Sequence, residues 1–245
     1  GGGRSSGRET IGRVAAGAVA VKLLGQMGIE LYAYASAIGG IAMDRDSFNL
    51  EERDNNPFAM PDAGAALRIK KYADRKLEEC NSMGGIIECV VKNMPAGIGE
   101  PVFDKLDANL AKAIMSIGAV KGVEIGDGFA AADSTGLENN DAFRMKDGHI
   151  VKQTNHAGGI LGGMSDGSDI ILRAAVKPTP SIAATQHTVN KAGEEIDISI
   201  HGRHDPMIVP RAVVVVEAMT AITLVDMLFM GMTSRLDRIV DFYKR

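Results

Sequence analysis

The stretch from residue 170 to residue 200, IILRAAVKPTPSIAATQHTVNKAGEEIDISI, decides the fold class. Residues 170–176, 181–189 and 195–200 are runs rich in β-branched side chains, and such runs predict strands. The last two runs are separated only by the short turn Asn190-Lys191-Ala192-Gly193. Because strands joined by short turns pair antiparallel, this stretch predicts an antiparallel sheet.

Helices and further strands precede and follow this stretch. The apolar spacing predicts helices over residues 8–27, 62–82, 101–117 and 210–243, and strands over residues 29–38, 86–92 and 120–125. Ser6 and Asp62 are predicted N-caps, and Pro101 is predicted to lie in the first turn of its helix. The early alternation of helix and strand also fits a parallel α/β unit. The consecutive final strands favour the α+β class, with helices packed on sheets.

Length and composition set the broad class of protein. With 245 residues, 45% apolar and 24% charged, the chain can bury a full core, and we expect one domain over residues 1–245. A net charge of −4 argues against a nucleic-acid-binding protein. Cys80 and Cys89 are too few for a disulfide framework or a zinc site, which favours a reducing cytoplasm.

A signal peptide is not evident, and one apolar segment has to be weighed as a membrane span. Residues 213–232 are the most apolar part of the chain, but Glu217 and Asp226 interrupt them. We therefore predict a buried helix here, and no membrane association.

The first thirteen residues, GGGRSSGRETIGR, predict an anion site. Glycines allow close approach of backbone N–H groups, and the helix that follows adds free N–H groups and the positive end of its dipole. A cloning linker is the alternative, but Arg4, Arg8, Glu9 and Arg13 are not typical of linkers.

A second glycine-rich segment, Thr154-Asn155-His156-Ala157-Gly158-Gly159-Ile160-Leu161-Gly162-Gly163, lies within a predicted long loop over residues 126–168. Such a loop can lie against a flat or phosphorylated ligand, although a plain tight turn is an equal alternative. Neither a Walker A motif nor a G-x-G-x-x-G after a strand occurs, so the usual nucleotide-binding folds are not supported.

The segment Lys177-Pro178-Thr179-Pro180-Ser181 follows a predicted strand. Its two prolines keep it extended and remove backbone donors, which leaves the lysine and the hydroxyls available to a ligand. A rigid connector between strands is the alternative.

The segment His201-Gly202-Arg203-His204-Asp205-Pro206 ends the last predicted strand. Two histidines three residues apart would point to opposite faces of a strand, so no metal site is predicted. Arg203 is a candidate to bind an anion, and Asp205 a candidate to move a proton. A surface salt bridge is the alternative.

These segments together resemble the chorismate synthase family. Matching residues run from one end of the chain to the other in the family's order: residues 2–10, 99–106, 115–128, 155–163, 177–181 and 202–206. Small departures are Gly7, where the family usually has alanine, and Met207, where cysteine is frequent. The family fold sandwiches helices between antiparallel β-sheets.

The resemblance also implies that a front portion is absent. Family members carry Gly-Glu-Ser-His-Gly and Pro-Gly-His motifs, whose histidines are the two catalytic acids. None of the five histidines here lies in such a motif. We therefore expect an incomplete core that corresponds to the C-terminal portion of the enzyme.

The activity implied by the resemblance is a 1,4-anti elimination of phosphate from 5-enolpyruvylshikimate 3-phosphate to give chorismate, the last common step of the shikimate pathway. It requires reduced FMN, which some members reduce with NADPH, and members are cytoplasmic homotetramers. Arg4 and Arg203 are implied to bind substrate, and Asp205 to act in catalysis on a flavin proton. The implied FMN contacts are Arg4, Ser5, Ser6, Gly118, Ala119, Gly162, Lys177, Pro178, Thr179, Pro180, Ser181 and Arg203. The alternative is a non-catalytic flavin- or anion-binding module built on the same scaffold.

Overall fold

Antiparallel pairing organises the strands in the computed structural model, which describes residues 6–200 and 205–244. The strands, in chain order, are β1 Glu30–Ile38, β2 Ile41–Ala42, β3 Gly85–Lys92, β4 Val120–Ile125, β5 Phe143–Lys146, β6 His149–Lys152, β7 Ile160–Leu161, β8 Met164–Ser165, β9 Ile170–Val176, β10 Gln186–Val189 and β11 Glu195–Ile198. Five of them form one sheet in the order β2-β1-β3-β9-β4. The other six form three antiparallel hairpins, β5-β6, β7-β8 and β10-β11.

The directions of the strands in the large sheet follow from contacts at their ends. β1 and β2 pair antiparallel, with Ile38 opposite Ile41. The N–H of Gly39, just after β1, donates to the carbonyl of Gly84, just before β3, at 2.9 Å. The N–H of Gly126, just after β4, donates to Ile171 at the start of β9 at 3.0 Å. In each of these pairs the end of one strand lies beside the start of the other, as antiparallel pairing requires.

Six α-helices accompany the sheets in the described part of the chain. They are α1 Thr10–Gln26, α2 Glu52–Asn55, α3 Ala63–Glu78, α4 Leu106–Met115, α5 Val209–Met232 and α6 Leu236–Tyr243. Ser6 caps a short 3₁₀ turn, Gly7–Glu9, that leads into α1, and Asp62 caps α3 by accepting the N–H of Ala65 at 2.9 Å. Helices beside antiparallel sheets confirm the predicted α+β class.

The chain divides into two compact units. The first comprises Gly1–Ala33, Glu88–Ala174 and Val214–Arg245, and the second comprises Tyr34–Ile87 and Ala175–Val213. Strands β1, β3 and β9 and helix α5 each contribute residues to both. That the chain is one domain stays a prediction.

The core of the first unit contains α1, α4 and most of α5. Leu24, Leu110, Ile114 and Leu224 are completely buried in it. Gly17 on α1 allows close helix packing, because a Cβ built at this position would lie 2.3 Å from the Cβ of Ala218 on α5. This contact explains why a residue without a side chain stands at position 17.

Helix α5 is the one helix among the described residues that is long and apolar enough to cross a membrane. In the first unit it nevertheless packs as a core helix, with Val216, Thr220 and Leu224 buried. The Cys89 thiol on β3 is hydrogen-bonded to Thr220 of α5, and burial raises the pKa of this thiol to about 12.

The second unit has a core of its own. Ile38, Met60, Ile69 and Ile87 are completely buried there. Helix α3 has a charged outer face, on which Lys70 and Asp74 form an exposed ion pair at 2.9 Å.

Four sequence predictions differ from the structure. The helix predicted from residue 101 begins only at Leu106, because the Leu106 N–H is taken by the carbonyl of Gly163 and residues 101–104 form bends. The predicted final helix breaks after Met232, where the hydroxyls of Thr233 and Ser234 bond to carbonyls three residues earlier and compete with the helix. The predicted strand over residues 181–189 contains only β10. The predicted long loop contains hairpins β5-β6 and β7-β8.

Candidate functional site

The predicted site residues fall into two groups, one in each compact unit. Ser6, Gly118, Ala119 and Gly162 belong to the first unit, and residues 177–181 and Asp205 belong to the second. The predictions for Arg4, Ser5 and Arg203 fall outside the described residues.

The turn that contains Gly118 and Ala119 lies between α4 and β4, and it presents its backbone to open space. A Cβ built at Gly118 meets no heavy atom of the described chain within 4 Å. Ala119 has a φ of 73°, in the left-handed region that side chains other than glycine rarely adopt. A non-glycine residue held in this region marks a locally imposed backbone shape, and such strain clusters at functional sites.

Arg13 connects this turn to the start of α1, and sequence reasoning missed this role. Its Nη1 donates to Ser116 Oγ at 2.6 Å, and its Nε donates to Glu9 Oε2 at 3.0 Å. Ser116 lies two residues before Gly118, and Glu9 lies three residues after Ser6. The arginine therefore holds two of the predicted site segments close together.

Gly162 lies at the other end of α4. It has a φ of 60° in the turn of hairpin β7-β8, where the next residue, Gly163, accepts the N–H of Leu106 at 2.8 Å. Helix α4 has ten residues, so its axis separates the two turns by about 15 Å. The first unit thus brings Ser6 close to Gly118 and Ala119, but not to Gly162.

The glycine-rich loop before Gly162 is held by the buried carboxylate of Asp141, which sequence reasoning also missed. Its oxygens accept the N–H groups of His156 and Ala157 at 2.7 and 3.0 Å and the Thr154 hydroxyl at 2.8 Å. Lys152 Nζ lies 3.7 Å away and also bonds to Asp166. Burial alone would raise the pKa of Asp141, but these donors and Lys152 lower it overall.

A second carboxylate contacts the same loop from the end of β4. Asp127 Oδ2 lies 2.7 Å from His156 Nδ1, and both side chains are about one-third exposed. The sequence gives no local sign of this pair, because 28 residues separate its two members.

In the second unit, side chains donate hydrogen bonds to carbonyls of the segment 177–181. One hydroxyl of this segment has no hydrogen-bond partner among the described residues. Ser82 Oγ donates to the carbonyl of Thr179 at 2.6 Å, and Gln186 Nε2 donates to the carbonyl of Pro180 at 3.1 Å. Thr179 Oγ1 is buried and has no hydrogen-bond partner among the residues that the structure describes. A buried hydroxyl without a partner is costly, so it is a candidate to bind a ligand.

Residues 82–84 join this segment to the predicted catalytic aspartate. The N–H of Met83 donates to the carbonyl of Pro206 at 2.8 Å. A Cβ at Gly84 would lie 2.4 Å from the carbonyl of Val176 and 3.1 Å from Pro178, so only glycine fits. The second unit therefore brings the segment 177–181 close to the backbone beside Asp205.

The Asp205 carboxylate is bound by Arg211 at the start of α5. Both nitrogens of the guanidinium fork donate to it, one of them at 3.1 Å. A two-pronged arginine pair fixes the plane of a carboxylate. The sequence suggested Arg203 as the cation beside Asp205, and Arg211 is a second one that the folded chain supplies.

Within residues 6–200 and 205–244 there is no group of three or more His, Cys, Asp or Glu side chains that could hold a metal ion. The donors of the candidate site are instead hydroxyls, bare backbone and cationic side chains. Such donors suit an organic anion rather than a metal.

Comparison with known proteins identifies the family. The family model described as chorismate synthase matches residues 1–229. A chorismate synthase from Lachnospira eligens is 66% identical over the whole chain, and one from Agathobacter rectalis is 64% identical. The chain spans 67% of the length of each.

A solved structure agrees with the sequence relatives. A crystal structure of a chorismate synthase superposes with a TM-score of 0.77 at 30% identity, covering 98% of this chain and 68% of that one. These matches confirm the resemblance and favour chorismate synthase over a non-catalytic module derived from the scaffold. The chain belongs to the chorismate synthase family.

Proposed function

We propose that this chain carries the flavin-facing part of an enzyme that converts 5-enolpyruvylshikimate 3-phosphate to chorismate, a lyase reaction of the shikimate pathway that leads to the aromatic amino acids. The identity of 66% to a chorismate synthase over all 245 residues is the observation that carries this proposal. The reaction removes phosphate and one C6 hydrogen without a net redox change.

The proposed substrate carries two carboxylates and a phosphate, and it requires cations. The chain as a whole has a net charge of −4, so the attraction has to come from local groups. We assign substrate binding to Arg4 and Arg203. Arginine suits this role because its planar fork binds carboxylate and phosphate oxygens in pairs.

Each unit has features that fit reduced FMN as the cofactor. In the second unit, Thr179 offers a buried hydroxyl without a partner among the described residues, and Lys177, two residues earlier, is exposed and supplies a positive charge. In the first unit, Gly118 and Gly162 offer backbone with no described atom within 4 Å of an added Cβ. When bound, reduced FMN supplies electron-donating chemistry to a reaction that consumes no reductant overall.

We assign proton transfer to Asp205. Its carboxylate is oriented by Arg211, and its neighbour Pro206 is fixed by the Met83 N–H. A carboxylate held in one orientation beside a cation can accept a proton without first having to reorient.

The experiment that tests this function uses the protein expressed from its intact gene. Chorismate formation and phosphate release are measured anaerobically with reduced FMN and 5-enolpyruvylshikimate 3-phosphate. We expect turnover by the wild type and a loss of kcat of at least about a hundredfold in Asp205→Asn, because one proton-transfer group contributes that much or more. Asp197→Asn, on the exposed β10-β11 hairpin, is the matched control and should retain full turnover. An inactive wild type, or an Asp205→Asn variant as active as the control, would refute the assignment.

The 245-residue chain on its own should show little or no elimination. The two histidine motifs of the family are absent from its sequence, so both general acids are missing. Chorismate formation by the purified 245-residue chain under the same conditions would contradict this expectation.

We further propose a cytoplasmic homotetramer, with NADPH as a candidate reductant for the flavin. The exposed apolar side chains of Phe229 and Met232 on α5 and of Ile11 and Val19 on α1 support an assembly that covers them. Light scattering on the intact gene product gives the mass that decides this point.

A further inference from the structure

Asp127 and His156 contact each other twice, through the main chain and through the side chains. The Asp127 N–H donates to the carbonyl of His156 at 2.8 Å, and His156 Nδ1 lies 2.7 Å from Asp127 Oδ2. This double contact joins the turn after β4 to the glycine-rich loop that ends at Gly162 and Gly163.

The turn that carries Asp127 is itself fixed by the sheet. Arg173 on β9 donates from Nη2 to the carbonyl of Gly126 at 2.7 Å and from Nε to Glu124 at 3.0 Å. Glu124 also accepts the N–H of Phe129 at 3.1 Å. Both ends of the turn are thus attached to strands, and the carboxylate of Asp127 is presented from a rigid base.

The loop that carries His156 approaches the same turn too closely for any side chain to intervene. A Cβ at Gly126 would lie 2.5 Å from the Gly158 nitrogen, and a Cβ at Gly158 would lie 2.3 Å from the Gly126 nitrogen. The two glycines allow backbone to lie on backbone. Next to this contact the imidazole of His156 pairs with Asp127, and Asp141 accepts the His156 N–H.

We propose that Asp127 and His156 are a positioning pair that holds the loop 155–163 in the shape that contacts flavin through Gly162. The proposal rests on the proposed function, because the contact of Gly162 with FMN is part of it. The pair acts through the loop, and neither side chain is assigned a step in the reaction.

The side-chain contact depends on a donor at the position of Nδ1, because the Asp127 carboxylate can only accept a hydrogen bond.

The test compares three variants of the protein expressed from its intact gene. His156→Asn keeps a donor at the position of Nδ1, and His156→Ala has no donor. His187→Ala is the matched control, because His187 pairs with Asp197 on the exposed β10-β11 hairpin. FMN affinity is measured by fluorescence titration, and folding is checked by thermal unfolding.

We expect His156→Ala to bind FMN about 3- to 10-fold more weakly than wild type, the loss typical of one hydrogen bond. His156→Asn should match the wild type within about twofold, because one donor replaces another. His187→Ala should bind like wild type.

Three results would overturn the proposal. Equal FMN affinity of wild type and His156→Ala would show that the pair positions nothing. A loss in His156→Asn as large as in His156→Ala would indicate a direct ligand contact by the ring. A wild type that binds no FMN refutes the proposed function as well, which separates the two failures. If His156→Ala does not fold, Asp127→Ala removes the acceptor of the same contact and should show the same loss of affinity.

Discussion

Ala119 adopts a left-handed backbone with a φ of 73° in the turn after α4. This conformation costs alanine about 1–2 kcal/mol, whereas glycine adopts it without such a cost. The strain is therefore the cost of the shape of this turn, and it can be measured.

Ala119→Gly should raise the free energy of unfolding by about 0.5–1 kcal/mol. The relief of strain exceeds the extra entropy that glycine gives the unfolded chain, which is about 0.4–1 kcal/mol. Urea unfolding measures the change. The control is Ala111→Gly inside α4, where the same chemical change should lower stability by about 1 kcal/mol. Two changes of the same sign would show that Ala119 is not strained.

Thr179→Val should leave stability unchanged or slightly raised while it weakens FMN binding. Its hydroxyl is buried and has no partner among the described residues, so its removal costs the apo protein nothing. The loss of a hydrogen bond to flavin should weaken binding about 3- to 10-fold. Thermal unfolding and FMN titration measure the two effects. Thr188→Val on the exposed hairpin should change neither affinity nor, by more than a few tenths of a kcal/mol, stability.

At the residue scale, the sequence indicates candidate segments but not their partners in the folded chain. Local glycines, prolines and charges single out the segments 154–163, 177–181 and 201–206, and their role stays a prediction. The contacts of Arg13 with Ser116, of Asp141 with His156 and of Arg211 with Asp205 were not predicted, because these partners lie 103, 15 and 6 residues away. A single sequence has no local pattern for contacts that only the folded chain creates.

At the scale of elements, Gly17 sets how closely α1 can approach α5. A methyl group there would overlap both the Cα and the Cβ of Ala218, at 2.5 and 2.3 Å, so the helices would have to separate. This contact makes α1 and α5 one packing unit rather than two independent helices.

Gly17→Ala should therefore lower the free energy of unfolding by about 1–3 kcal/mol, the usual cost of an overpacked core. Gly25→Ala is the control on the same helix, where a Cβ meets no described atom within 4 Å. It should raise stability by about 0.5–1 kcal/mol, because alanine is the better helix former. Chemical unfolding of both variants decides, and a stabilised Gly17→Ala would contradict the packing argument.

The elements that the sequence predicted best are those with strong local patterns. Strands β4 and β9 were predicted with their observed bounds, and Asp62 was predicted as the N-cap of α3. Ser6, predicted to cap the first helix, caps the 3₁₀ turn that leads into α1. The start of α4 was predicted at Pro101 because proline is favoured in a first turn. The helix begins later because Gly163, almost sixty residues away, accepts the first N–H. The long-range hydrogen bond outweighs the local preference of proline for the first turn of a helix.

At the scale of the whole molecule, stability should depend on three aspartates. The pKa values of Asp62, Asp141 and Asp166 all lie below their usual value of 3.8, because hydrogen-bond donors outweigh the opposing effect of burial. A carboxyl with a lowered folded pKa stabilises the protein fully above the unfolded value, and this stabilisation is lost as the pH falls through the folded value.

The free energy of unfolding should thus be nearly constant from about pH 7 to pH 5 with respect to these groups and fall steeply below about pH 4. Asp141→Asn should lower stability by about 1–3 kcal/mol at pH 7 and make the fall below pH 4 shallower. Urea unfolding at pH 7, 5 and 3.5 measures both effects. Asp133→Asn, which changes an exposed aspartate, is the control. Parallel pH curves for wild type and Asp141→Asn would rule out this carboxylate as a source of the acid sensitivity.

Helix α5 also bears on how the chain comes to be folded in the cell. Synthesis proceeds from the N-terminus, so α1 and all the strands of the large sheet leave the ribosome before this apolar helix does. The elements that α5 packs against are therefore already synthesised when it emerges. The helix can pack against them at once instead of remaining exposed as an apolar nascent segment. If the same helix were encoded first, it would be exposed to water, chaperones and the membrane-insertion machinery before its packing partners had been synthesised.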